Sequence, residues 1–315
     1  MGRFLARRLL VTILVVLVTS IVAFSLVHLS GDPAAAMAGE GASHQDVEAI
    51  RRLYGFDRPL PVQYAAWLGK ILTGEFGRSY YLRESVVQVL AEHAPITATL
   101  GLLALGFALL LAIPLGVLAG LHRGRAIDRL AAGVAVTGQA APSFLLALLL
   151  IYIFGVWLHW LPMSADWPEG AGALTQLEYL ILPSLPLVLV FFGYIARVAR
   201  AGTIEALDAD YTRTAILKGL PMSTVMRRHV LRNALLPTIT VVASLLGYLA
   251  GGLVVIETLF HYRGIGALIY SAARAKDFPM LEAGVLTVGA VYAIASVLAD
   301  LLSAALNPRL RAERT

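Results

Sequence analysis

The sequence predicts an all-α, polytopic membrane protein with six transmembrane helices, and three observations carry that expectation. Of 315 residues, 58% are hydrophobic and only 14% are charged, whereas an ordinary soluble domain carries about a quarter charged residues. The mean hydropathy is +0.77. Six apolar runs, 9–29, 97–119, 131–155, 178–197, 238–256 and 281–304, are near the roughly 20 residues that cross a hydrocarbon core as a helix. The net charge of +5 would suit nucleic acid, but the basic residues gather at the ends of the apolar runs, where topology explains them. Nucleic acid is therefore not an expected partner; the lipid bilayer is. Cysteine is absent, which excludes disulfides, a thiolate nucleophile and a cysteine metal site.

Taken in order, the first run follows Arg3, Arg7 and Arg8. It is too long for a usual signal-peptide core, and Ala34-Ala35-Ala36 come only after Gly31-Asp32-Pro33. Residues 1–30 are thus expected to form an uncleaved signal-anchor helix. Residues 31–95 read as an extracytoplasmic segment with short helices that caps the outer mouth. Ser43 and Asp46 make a capping box, Val47, Ile50 and Leu53 follow at helical spacing, and Gly55 ends the turn. A second short helix is expected after Pro61, carrying Val62, Trp67, Leu68 and Ile71, and a third from Glu84 to Glu92, before Pro95. Residues 96–305 form the core membrane domain and include a cytoplasmic segment, 198–237; residues 306–315 form a cytoplasmic tail.

Two core spans are interrupted, the third by Gln139 and Pro142 and the fourth by Pro183 and Pro186. Such breaks are tolerated where neighbouring helices or a cavity satisfy the freed backbone groups. Gly116 and Gly120 have the small-residue spacing of a close helix contact. Charge bias sets the orientation. With both termini inside, 16 of the 25 Lys and Arg residues fall on the cytoplasmic side. Trp157, Trp160 and Trp167 then cluster at the outer face as an aromatic anchor.

The chain displays no phosphate-binding loop, no metalloprotease His pair, no nucleophile elbow and no carboxylate pair within a span. His28 and His159 are isolated, and Asp32, Glu257 and Asp300 lie near span ends rather than at the midplane where ion-coupled carriers place ionisable groups. Enzyme chemistry and a proton-driven carrier both fit poorly. The largest polar feature is the basic stretch from Ala196 to Pro237, with Arg197, Arg200, Arg213, Lys218, Arg227, Arg228 and Arg232. Tyr211 to Lys218 can be helical, Gly219 ends that helix, Pro221 prevents its simple continuation, and a second basic helix follows Ser223. Spacing leaves two readings open: a helix that docks into a partner's groove, or a loop held on anionic lipid.

At this stretch the chain resembles the inner-membrane permease subunits of binding-protein-dependent ABC importers, in their dipeptide, oligopeptide and nickel branch. The cytoplasmic signature of such permeases is Glu-Ala-Ala, three residues, then Gly; here Arg213-Thr214-Ala215, Ile216-Leu217-Lys218 and Gly219 occupy that frame. Arginine in place of glutamate is common in the peptide branch, and Asp210 through Gly219 fits its form. Glu205-Ala206-Leu207 is a decoy, because its glycine falls in the wrong place. Arg228-His229-x-Leu231-Arg232-Asn233-Ala234-Leu235-Leu236-Pro237 is a second branch signature. The likeness covers essentially the whole chain, through Gly31-Asp32-Pro33, Asp57-Arg58-Pro59-Leu60-Pro61, Gly74-Glu75-Phe76-Gly77-Arg78-Ser79, Gly251-Gly252, Asp277-Phe278-Pro279 and Asn307-Pro308-Arg309. Departures are mild: Ser30 for proline, Glu75 for aspartate and Asn307 for aspartate.

The resemblance implies a type I ABC importer transmembrane-domain fold in a bacterial or archaeal plasma membrane, most naturally the bacterial inner membrane. It implies a homologous second permease subunit, two ATPase subunits or a fused pair that hold ATP and Mg, and an extracytoplasmic substrate-binding protein. This chain itself would bind no cofactor or metal and would perform no bond chemistry. Its ATPase-coupling residues would be Asp210, Arg213, Thr214, Ala215, Lys218, Gly219 and Arg228, with Asp210 also able to cap the 212–222 coupling helix. Gln139, Pro142, Glu257, Gly264, Gly266 and Asp277 are pore or gate candidates. Di- and oligopeptides are the default cargo, with glutathione, nickel chelates and sugar-derived solutes as alternatives. An ion-coupled secondary carrier and a non-transporting membrane scaffold are the competing readings.

Overall fold

The computed structural model describes residues 2–39 and 41–306. The Asn307-Pro308-Arg309 match and the tail arginines lie outside the described residues. Two units divide the chain, one built from Gly2–Thr97 with Arg263–Ile294, the other from Ala98–Tyr262 with the residues from Ala295 onward. Helices account for almost all regular structure. Among the described residues the one antiparallel bridge, Arg78 with Ser85, lies outside any strand.

The first unit begins with α1 (Gly2–Ser30). Ser20, Ala23, Phe24 and Val27 are buried at helical spacing, while Leu10, Ile13, Leu14 and Val18 on other faces stay exposed, as a helix in lipid requires. The buried stripe meets α4 (Leu60–Leu72): the Ser20 and Tyr64 hydroxyls are 2.7 Å apart, and Phe24 packs on the rings of Tyr64 and Trp67. Between them, α2 (Pro33–Ala38) is capped by Asp32, which also pairs with Arg51 of α3 (His44–Tyr54) at 2.5 Å. The expected capping box of Ser43 and Asp46 is present, and Gly55 ends α3 in the left-handed region at φ 74°.

The expected helix over 84–92 is not a separate element. It is the start of α5 (Val86–Leu121), which runs through Pro95 into the second apolar run. Proline removes one hydrogen bond, but Val86, Val89 and Leu90 are buried against Ile265, Leu268 and Ala272 of α13 (Ile265–Ala275) and Phe278, Met280 and Leu281 of α14 (Phe278–Leu306). Burial at about 25 cal/mol per Å² holds that turn in line with the span.

In the second unit, α8 (Ala173–Asp208) is the buried spine, with α6 (Ala126–Ala140) and α7 (Ser143–Trp157, π-helical from Ile151) packed against it. It continues unbroken through Pro183 and Pro186, and Ser184 donates to the Ile181 carbonyl at 2.7 Å within that turn. Missing side chains let neighbours approach. A Cβ at Gly138 would stand 2.2 Å from the Leu189 carbonyl oxygen, and one at Gly116 2.6 Å from that of Ala196. At Gly120 it would meet Thr203 Cβ at 2.8 Å, so the Gly116 and Gly120 spacing serves packing.

Four helices are long and apolar enough to cross a membrane, and up to six spans result if each bent pair is one span. The third expected span is such a pair, α6 and α7 bent by 112° at Ala141 and Pro142. The fifth joins α10 (Met222–Ala234, π-helical over Val225–Val230) to α11 (Leu236–Gly252) with a 42° bend, and α12 (Val254–Leu259) follows.

Candidate functional site

The basic stretch folds into a helical hairpin. Ala209, in extended conformation, precedes α9 (Asp210–Leu217), and α10 returns from the turn at Gly219 and Pro221. One face of α9 is turned inward. Thr212 and Ala215 are buried with Ala206, Val225, Val230 and Ala234, and the Thr212 hydroxyl donates to the Ala206 carbonyl at 2.6 Å. The spacing of three between Thr212 and Ala215 puts both on one side of the helix. Arg213, Thr214, Ile216, Leu217 and Lys218 therefore face outward. Leu217 is 80% exposed and Met222, past the turn, 58%. The outer surface thus combines bare apolar side chains with the cations of Arg213, Lys218 and Arg228, all exposed.

Gly219 closes α9 at φ 75°, where its amide donates to Ile216 and that of Leu220 to Ala215. A Cβ at Gly219 would meet nothing within 4 Å. Glycine is needed there for backbone conformation, since side chains rarely adopt that region. Two expectations change. Asp210 does not cap α9: it lies in the first turn, and no side-chain cap is present. Its carboxylate still favours a helix N-terminus, while its carbonyl accepts from the Thr214 hydroxyl at 2.8 Å. Ala215, placed with the contact residues by its frame, is 3% exposed and packs inside the hairpin instead.

Arg200 also departs from the expected pattern. It is not a bare docking charge but grips Asp128 with two hydrogen bonds, Nε to Oδ1 at 2.5 Å and Nη2 to Oδ2 at 2.9 Å. The Gly124 amide donates to the same carboxylate at 2.8 Å. This ties the turn after α5 to α8 about two helical turns before the hairpin. Sequence reasoning passed over Asp128; a lone acid in a loop otherwise rich in Arg123, Arg125 and Arg129 was the available signal.

The pore and gate candidates are divided between the two units. Gln139, Pro142 and Glu257 belong to the second unit, and Gly264, Gly266 and Asp277 to the first. Pro142 opens α7 at the 112° bend. Gln139 lies just before it, against Gly193, where a Cβ would come within 2.8 Å of Gln139 Nε2. That Nε2 is buried with no hydrogen-bond partner among the described residues. Glu257 is fully buried in α12. Burial, and then the charge of Glu257, push the Tyr262 phenol above its ordinary value. Gly264 precedes α13 in extended conformation, and the next amide, Ile265, donates to the Thr97 hydroxyl at 2.7 Å. Asp277 accepts from the Ser79 hydroxyl and from the Tyr80 amide at 3.0 Å. It is a structural clasp between two stretches far apart in sequence. Burial first, with the charges of Glu282 and Asp277, pushes the Tyr80 phenol upward too. Among the described residues no group of metal-ligating side chains converges.

Comparison with known proteins covers nearly the whole chain. Residues 112–312 match the family described as binding-protein-dependent transport system inner membrane component, and residues 1–101 its N-terminal membrane component. A probable peptide ABC transporter permease of Sinorhizobium fredii is 34% identical over 312 residues, 99% of this chain and 100% of that protein. A putative peptide transport system permease of Brucella abortus is 38% identical over 312 residues, 99% of each chain. A glutathione transport system permease of Pectobacterium atrosepticum is 36% identical over 312 residues, again 99% of each.

Proposed function

This chain belongs to the binding-protein-dependent transport system inner membrane component family, and from that membership we propose that it forms half of the translocation path of an ATP-driven importer for peptides or a similar small solute. The other half is a homologous second permease. Two ATPase subunits, or a fused pair, hold ATP and Mg on the cytoplasmic side, and an extracytoplasmic protein delivers the solute. Both termini and the hairpin of α9 and α10 face the cytoplasm, and this subunit has no hydrolytic site of its own.

The observation that carries this reading is the two-faced hairpin. Its inner face is a small packed core around Ala206, Ala215, Val225 and Val230, which seats the tip on the end of α8. Its outer face leaves Leu217, Met222, Arg213 and Lys218 uncovered by the chain itself, the mixture of apolar anchor and cation that fills a partner's groove. Closure of the ATPases on ATP draws the hairpin inward and shifts the permease pair from inward-facing to outward-facing. Each step is binding and population shift. Peptides and glutathione are the favoured cargo, because relatives of about this similarity carry those names.

Reconstitution of this chain with its second permease, ATPases and binding protein tests the reading. Liganded binding protein should stimulate ATP hydrolysis and import into vesicles, and Leu217→Asp should abolish both. Import by this chain alone on an ion gradient would overturn the reading.

A further inference from the structure

The unit built from Gly2–Thr97 and Arg263–Ile294 holds an open cavity of about 450 Å³, within the size range of small-molecule sites. Its walls include the aromatic rings of Phe24, Trp67, Tyr80 and Phe278, and Glu282 of α14 lines it as well. Glu282 is only 8% exposed. The Trp67 indole lies beside it, and no cation partners it among the described residues. A carboxyl group has more hydrogen-bonding capacity than one indole can use, so part of its capacity is unused. Aromatic faces beside a carboxylate short of donors make a place for an ammonium group, which brings N–H donors to the acid and a cation to the rings.

The same lining carries cations at its exposed edge, Arg58, Lys70 and Arg78, against one exposed acid, Glu75. A simple amine would be repelled there. A ligand with an anionic group a few atoms from its ammonium would satisfy both ends. We propose that this cavity binds a zwitterionic amine, with the ammonium against Glu282 and the anionic group at Arg58, Lys70 and Arg78. Phe24 and His28 lie in the last turns of α1, and Glu282 in the first turns of α14, both candidate membrane spans. The cavity therefore lies where these helices leave the apolar layer, within reach of an ethanolamine phospholipid headgroup or of a dissolved zwitterion.

Trp67 supplies the readout. The full chain carrying Trp157→Phe, Trp160→Phe and Trp167→Phe is placed in phosphatidylglycerol nanodiscs, whose lipid has no ammonium, and titrated with O-phosphoethanolamine. A saturable change in Trp67 emission is expected. Glu282→Gln should raise the half-saturation concentration about tenfold, the loss of a charge-assisted contact. Lys70→Gln, at the exposed edge, should raise it about twofold. In phosphatidylethanolamine nanodiscs, emission already shifted and a flat titration support the site with lipid as its occupant. An unchanged titration there supports it with a soluble zwitterion. A response that does not saturate, or that both substitutions leave unchanged, overturns the proposal. Should Glu282→Gln lose the wild-type circular dichroism, Lys70→Gln alone decides.

Discussion

At Gly219 the backbone occupies φ 75° with open space around it, so a substitution there tests conformation rather than collision. Gly219→Ala should strain the turn by about 1 kcal/mol, while Gly219→Asn, which tolerates the left-handed region, should cost less. Hydrogen exchange of the Leu220 amide would rank the two; equal protection in both would show that the turn does not depend on its backbone conformation. Asp128 and Arg200 allow a second test at this scale. Asp128→Asn and Arg200→Gln should each destabilise by about 2 kcal/mol, because each strips a charge-assisted pair. The double variant should be no worse than either single one. Additive losses on thermal melting in detergent would show that the two side chains do not act as a pair. Gly219 was legible from the sequence because a helix stop before proline is a local signal. The Asp128 pair was not, because its partners lie 72 residues apart.

The hairpin separates two kinds of residue that share one helix. Ala215→Leu should overpack the interior against Val225 and Val230, costing about 1–3 kcal/mol and loosening the hairpin itself. Leu217→Asp, on the outer face, should leave the melting temperature unchanged yet uncouple the partner ATPase. Melting curves alongside hydrolysis assays distinguish them, and parallel losses in both variants would show that the hairpin has no separate docking face. The sequence frame named Thr214, Ala215 and Gly219 together, but helix phase assigns Ala215 to the inside and Thr214 to the outside. Helix continuity was the other element-scale surprise. Pro95 and Pro183 read as breaks, yet α5 and α8 run through them, because packing along the rest of the helix outweighs one lost hydrogen bond. At Pro142 the chain does break, by 112°, and there the polar Gln139 adjoins the bend.

For the whole molecule the decisive quantity is orientation, and the absence of cysteine makes it directly measurable. Single cysteines at Lys70 and Lys218, both exposed, should react differently with a membrane-impermeant maleimide in intact cells. Lys70→Cys should label at once and Lys218→Cys only after permeabilisation; the reverse pattern would invert the topology. The sequence by itself determined the solvent, the helical class and the place of the hairpin. Apolar runs near 20 residues have one stable environment, and helix stops and charge bias act locally along the chain. Tertiary structure alone decided which side chains are bare and which are engaged. Arg200 is taken by Asp128, Asp277 by Ser79 from 198 residues away, and Ala215 by the hairpin core, while Leu217 and Lys218 remain outside. The Arg200–Asp128 and Asp277–Ser79 pairings join segments distant in sequence, and no local pattern names such partners.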